Sequence, residues 1–263
     1  MATPTYLILG SVFSGRRALC ADVCKNAFGE CRTAVFVASG EPQTAADSAL
    51  EALENVRVFR YESGSDALEK LSQSVAGGGF DAVLFVADSR ENIADAVENF
   101  KKIVDSGAVR LARIWSVVDC KMRDMFAKNV DGYIDALSHF ADCVLLSNRG
   151  GVPNSTVKEI TSKFKKDCRP HIVEFLDARG RVRNPLELTV EQTRRISMLF
   201  DEYDPVDELD LDEDNLPDEP FSLERKPDPY LERLQNGLRK NPVRDVSEFA
   251  VAAHKQTQQE REK

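Results

Sequence analysis

The stretch YLILGSVFSGRRAL, Tyr6–Leu19, decides how the rest of the chain is read. An apolar run ends at Gly10, four residues separate it from Gly15, and Arg16 and Arg17 open a segment of helical period. This is the G-x-x-x-x-G spacing of a phosphate-binding loop, set between a predicted strand and a predicted helix as that loop requires. Its backbone N–H groups, with a helix N-terminus behind them, can cradle an anion whatever the side chains are. A working loop adds a lysine for the terminal phosphates and a Ser/Thr hydroxyl for Mg²⁺. Here Arg16 stands in the lysine position, keeping the charge on a larger planar fork. Arg17 stands in the hydroxyl position, and a guanidinium cannot ligate Mg²⁺. Gly10, Ser11, Ser14, Gly15, Arg16 and Arg17 are therefore the candidate anion-binding residues.

Two cations at a helix start oppose the positive end of its dipole. They are tolerated if they face solvent or a partner, hold an anion, or pair with a carboxylate. Solvent or a protein partner is the expectation, with a phosphate-bearing ligand held without magnesium as the second choice. An exposed loop also means that Arg16→Ala should leave folding intact.

Outward from the loop, short apolar runs alternate with segments of helical period. TYLILG, TAVFVAS, VRVFRY, DAVLFVAD, LARIWSVVD, DCVLLSN and HIVEFLD read as strands, separated by predicted helices that include a stretch near residues 121–140. Fully apolar strands between amphipathic helices predict an α/β fold, a three-layer α-β-α sandwich on a mostly parallel sheet of about seven strands. A last helix is expected over TVEQTRRISMLFDEY, 189–203. Residues 201–220 then hold eleven acidic residues, no basic ones and three prolines, a composition that predicts a disordered linker. Residues 221–263 are expected as a solvated tail with short helices in DPYLERLQNGLRKNP and VSEFAVAAHKQTQQEREK. The chain thus divides into an α/β domain (1–200), an acidic linker (201–220) and a tail (221–263).

The 263 residues are 42% hydrophobic, enough for one substantial core. The net charge of −9 is uneven: residues 1–200 carry 26 basic and 26 acidic groups, residues 201–263 carry 9 and 18. A neutral folded part gives no electrostatic reason to expect nucleic acid or an anionic membrane as partner. The first apolar run lacks a basic region before it and reads as a buried strand, not a signal peptide, and no stretch is long enough for a membrane span. A cytoplasmic protein is the expectation. Cys20, Cys24, Cys31, Cys120, Cys143 and Cys168 are dispersed among apolar residues and read as reduced, mostly buried thiols. Cys20 and Cys24 share a helix face but are assigned to packing, not to metal.

The order of motifs resembles the nucleotide-binding domain of the CobW/HypB/UreG family, P-loop GTPases of metal insertion and cofactor assembly. FDAVLFVADSRENIADAV (80–97) is similar to the family's strand ending in Glu-x-Ser-Gly. VRLARIWSVVDC (109–120) is similar to the strand ending in Val-Val-Asp. ALSHFADCVLLSNRGGVPNSTVKEITSKFKKDCRPHIVEF (136–175) resembles the segment holding the guanine-reading Asn-Lys-x-Asp. The likeness runs from about residue 5 to 176 and implies a P-loop NTPase-like fold, with Asp88, Asp119, Asn148 and Arg149 as further nucleotide contacts.

Departures fall at the functional positions. Val86 replaces the acidic residue of Glu-x-Ser-Gly, and Ser89 the glycine whose backbone would sense the γ-phosphate. Asp88 reads more simply as a cap on the following helix. Asn148-Arg149-Gly150-Gly151 lacks the carboxylate that pairs with guanine, so no preference for guanine is expected. RYESGSDAL (60–68) stands where a Cys-x-Cys-Cys metal motif would be, and His139, His171 and His254 are widely spaced. No catalytic and no metal-ligating residue is assigned. The resulting expectation is a non-hydrolysing P-loop protein, a pseudo-GTPase acting as an interaction or scaffolding module. It would contact a protein partner through the C-terminal tail and bind at most a nucleotide or phosphate, weakly and without magnesium. By family analogy, a homodimer across the nucleotide face is open to it. The alternative is a GTPase or ATPase with an atypical loop, in which Arg16 does the lysine's work. A dinucleotide-dependent oxidoreductase fits poorly: the first turn lacks G-x-G-x-x-G, and the second strand ends at VASGEP without a clear ribose-binding acid at its tip.

Overall fold

The structure is a computed structural model and describes residues 2–75, 79–201 and 227–261. Seven strands form one all-parallel sheet: β1 (Thr3–Gly10), β2 (Thr33–Ala38), β3 (Val56–Tyr61), β4 (Ala82–Val86), β5 (Val109–Asp119), β6 (Cys143–Ser147) and β7 (Ile172–Phe175). Their order is β3-β2-β4-β1-β5-β6-β7, so β1 and the loop after it lie near the middle. The inner strands β2, β4 and β6 are apolar or nearly so and buried along their length because both faces are covered, whereas the edge strand β3 carries Arg57 and Arg60. Tyr6, Ile8, Val35, Leu84 and Trp115 pack under α1 (Arg16–Asn26) with Leu19, Cys20, Val23 and Cys24. On the other face Phe36 and Phe85 stack, and Phe85 meets Phe100 of α4 (Ile93–Asp105) at 5.2 Å. All six cysteines are free, and Cys20 and Cys24 are packing residues of this core.

The remaining helices are α2 (Ala45–Glu51), α3 (Gly64–Val75), α5 (Cys120–Phe126), α6 (Asp131–Phe140), α7 (Asn154–Lys166), α8 (Pro185–Thr189) and α9 (Ser247–Arg261). The predicted helical stretch near 121–140 is two helices broken by a 3₁₀ turn at 127–129. Part of the glycine turn after α3 and nearly all of the acidic 201–220 segment lie outside the described residues.

Three expectations fail. The helix predicted over 189–203 does not form in the described residues 190–201, and 202–203 lie outside them. The N–H of Arg194 donates to the buried carboxylate of Asp142 (2.7 Å), the Arg195 guanidinium pairs with the same group, and the N–H of Ile196 goes to His139 O (3.1 Å). These donors satisfy tertiary acceptors instead of a helical ladder. Second, DPYLERLQNGLRKNP is not helical. The described residues 197–201 and 227–242 belong to a separate compact unit, in which an Asn236-Gly237 turn joins an antiparallel bridge between Arg233 and Arg239. Gly237 takes φ 82° there, the left-handed conformation that favours Asn-Gly turns over helix. Third, the end of the chain is no solvated tail. The described residues from 243 to 261 belong to the same compact unit as the described residues up to 196, and α9 packs on α5 through Phe249 and Phe126, 4.9 Å between ring centroids.

Candidate functional site

The loop between β1 and α1 has the backbone that its glycines promise. Gly10 has φ 142°, and a β-carbon on it would lie 2.7 Å from Val117 O, so no other residue fits. The Ser14 hydroxyl donates to Ser11 O (2.8 Å) and closes the loop on itself. Phe13 stands at its tip with φ 61°.

The arginines do not face solvent. Arg16 is 3% exposed and Arg17 6%, which corrects the expectation of an exposed loop and of a harmless Arg16→Ala. One guanidinium nitrogen of Arg16 donates to both carboxylate oxygens of Glu41 at 2.7 and 2.9 Å, and the other donates to Ala87 O. Arg17 Nη1 donates to both oxygens of Asp47 at 2.8 and 2.7 Å, and Nη2 to Pro42 O at 2.6 Å. A cation at a helix N-terminus costs about 0.3–1 kcal/mol. Two charge-assisted hydrogen bonds, each worth about 1.5–3 kcal/mol, outweigh that. Of the ways two arginines can be tolerated here, pairing with carboxylates is the one the chain uses.

Glu41 has a further donor: the Ser89 N–H reaches its Oε1 at 2.7 Å. Ser89 follows β4, in the position whose backbone would sense a γ-phosphate by the resemblance. The carboxylate therefore accepts from Arg16 and from the Ser89 N–H together. Asp47 is held as firmly, by the Thr44 N–H (2.8 Å) and hydroxyl (3.0 Å) and by Arg60 (3.3 Å). Burial alone would push both carboxyls up. For Glu41 the Arg16 charge and the Ser89 N–H override it, for Asp47 the Thr44 N–H and Arg17, and both are held below their ordinary values of 4.5 and 3.8.

A lowered folded-state pKa contributes stability that is present above the unfolded value and lost as pH falls through the folded one. The stability difference between the wild type and Glu41→Gln should accordingly be constant above about pH 5 and shrink as pH drops below 4.5. Urea titrations at a series of pH values read this directly; a difference that grew with acid would contradict the assigned pair. Asp119, raised chiefly by burial, contributes in the opposite sense and is common to both proteins.

The other sequence candidates divide. Asp119 ends β5, accepts from the Met122 N–H (2.9 Å) as the N-cap of α5, and accepts from the Asn148 amide (2.7 Å). Asn148 also donates to Phe13 O (3.1 Å), so Asp119 and Asn148 are brought to the glycine loop. Asp88 is turned into a pair with Arg90 (2.6 Å), and the cap on α4 is Asn92, not Asp88. Arg149 lies over the Phe175 ring and donates to Leu176 O, away from the cleft.

A cleft of about 770 Å³ opens over the first turns of α1, between α2, the 177–181 loop and α9, with Arg16, Arg17, Glu41, Asn148 and His254 among its walls. Sequence reasoning missed Glu41, Asp47 and the α9 residues. Glu41 was in view in VASGEP, but nothing in its spacing tells which cation it meets. The Glu41 carboxylate stands between Arg16 and the Ser89 N–H, and the Arg17 guanidinium is itself ion-paired with Asp47.

No protein-family model and no curated protein matches the chain. Among solved structures it is similar to the hydrogenase maturation factor HypB from Archaeoglobus fulgidus, at 10% identity and TM-score 0.47, over 66% of this chain and 81% of that one. It is also similar to the Zn(II)-bound YjiA GTPase from E. coli, at 16% identity and TM-score 0.48, over 73% and 62%. The signal recognition particle receptor FtsY from Elizabethkingia anophelis in complex with GDP gives 13% and 0.48, over 77% and 65%. The three-layer α/β sandwich on a parallel sheet is the fold that the order of strands predicted, with a glycine loop after β1. No helix among the described residues is long and apolar enough to cross a membrane.

Proposed function

We propose that this chain is a non-hydrolysing protein of P-loop architecture, a pseudo-GTPase that works as an interaction module for a protein partner. The observation that carries the reading is the position of Glu41. Its carboxylate accepts from Arg16 and from the Ser89 N–H, the two donors that a terminal phosphate would need. A triphosphate entering the site must displace a buried carboxylate from Arg16 and the Ser89 N–H, or stand against its negative charge. Magnesium would meet the Arg17 guanidinium in place of a hydroxyl oxygen. Val86 stands where the family carries an acidic residue, and Asp88, two residues on, is paired with Arg90.

Titrating the purified protein with labelled GTP, ATP and their diphosphates, with and without Mg²⁺, tests this. Any binding is expected to be indifferent to Mg²⁺, with phosphate release no faster than in buffer. Magnesium-dependent turnover would overturn the reading in favour of an enzyme with Arg16 in the lysine's role.

A further inference from the structure

Helix α9 meets the loop face at three successive levels. Near its start, Phe249 rests on Phe126, and Ala250 and Ala253 are buried beside α5. One turn on, the His254 ring lies flat on Phe13 at the tip of the glycine loop, 4.0 Å between centroids and 9° from parallel. Thr257 and Gln258 form part of the cleft wall. At the far end the Glu260 carboxylate accepts from Lys121 Nζ at 2.8 and 3.0 Å. Glu260 Oε2 also comes within 3.4 Å of where a β-carbon on Gly151 would be. Gly151 is the residue at which a guanine-reading loop would carry its carboxylate. The helix thus lays a planar ring on the loop and sets a carboxylate over the base-reading segment that lacks one.

We propose that α9 is a detachable occupant of the base side of the cleft, and that a purine nucleoside diphosphate enters only when the helix lifts. This rests on reading the cleft as a retained nucleotide site. A diphosphate is the fitting class because Glu41 already stands at the third phosphate's donors. A purine stacking on Phe13 would take the place of the imidazole, since a base stacks on an aromatic ring whatever its sequence identity. Lifting α9 breaks no strand pairing, since α9 pairs with no strand of the sheet. What it gives up is the contact of Phe249, Ala250 and Ala253 and the Lys121–Glu260 pair, whose carboxylate side chain is 41% exposed and whose lysine side chain is 8% exposed, so the lysine end must reach water when the helix lifts.

The test uses the full chain with His254→Ala and Glu260→Ala combined, against the wild type. The readouts are calorimetric titration with GDP and ADP in the absence of Mg²⁺, and amide exchange along α9. The expected result is at least a tenfold gain in diphosphate affinity, together with tenfold faster exchange confined to α9. Equal affinity in the two proteins, a variant that releases α9 without gaining affinity, or α9 exchange unchanged by the substitutions would each overturn the proposal. Failure here is separable from failure of the functional reading. Diphosphate binding gated by α9 without GTP hydrolysis supports both, whereas hydrolysis in a protein still gated by α9 removes only the second.

Discussion

Arg16→Ala should cost about 3–5 kcal/mol of folding stability, the usual penalty for removing one member of a buried ion pair. The substitution leaves Glu41, a carboxylate almost wholly out of water, with the Ser89 N–H as its remaining hydrogen-bond donor at short range. It also removes the donor to Ala87 O, the residue that follows β4. At about 2–4 °C per kcal/mol for a domain of this size, the melting temperature should fall by roughly 6–20 °C. Arg17→Ala should cost less, because Asp47 keeps the Thr44 N–H and hydroxyl and Arg60. Thermal melts of both variants followed by circular dichroism give the comparison. A loss below about 1 kcal/mol for Arg16→Ala, or the reverse order of the two variants, would mean that the pairs around the loop are not what holds it.

Glu41→Ala should be destabilising on the same scale and for the mirror-image reason. The Arg16 guanidinium then keeps the Ala87 carbonyl but loses its counter-charge, and the Ser89 N–H loses its acceptor. Glu41→Gln should fall between this variant and the wild type. Its carbonyl oxygen can still accept from Arg16 and Ser89 while the charge is gone, and charge-assisted bonds are about twice as strong as neutral ones. A defect in Glu41→Gln as large as that in Glu41→Ala would place the whole effect in charge; a Gln variant equal to the wild type would place it in shape and hydrogen bonding.

The sheet was legible because its physics is local. AVLFV of β4 and CVLLS of β6 are apolar without alternation, which in a chain that also carries amphipathic helices means a strand buried on both faces. What the sequence hid depends on contacts made at a distance. Residues 190–196 have helical period, yet the Asp142 carboxylate and His139 O draw their N–H groups away. VSEFAVAAHKQTQQ reads as a helix, but its hydrophobic content does not reveal that α5 and Phe13 receive it. The loop shows the same division. Gly10 and Gly15 announce its backbone, and the chain delivers that backbone. Arg16 and Arg17 announce only two charges, whose partners sit 25 and 30 positions further along. Those partners reach them because β2 lies two strands from β1 in the sheet, a fact of topology that no spacing expresses.

The stability of Glu41→Ala in inorganic phosphate at constant ionic strength tests most directly whether Glu41 fills an anion site that the loop would otherwise offer. An anion that binds only the folded state stabilises by about 2.7 kcal/mol at 100 times its dissociation constant. Phosphate should therefore raise the melting temperature of Glu41→Ala by several degrees and leave the wild type, whose donors are taken, unmoved. Equal responses in the two proteins, or none in the variant, would contradict it.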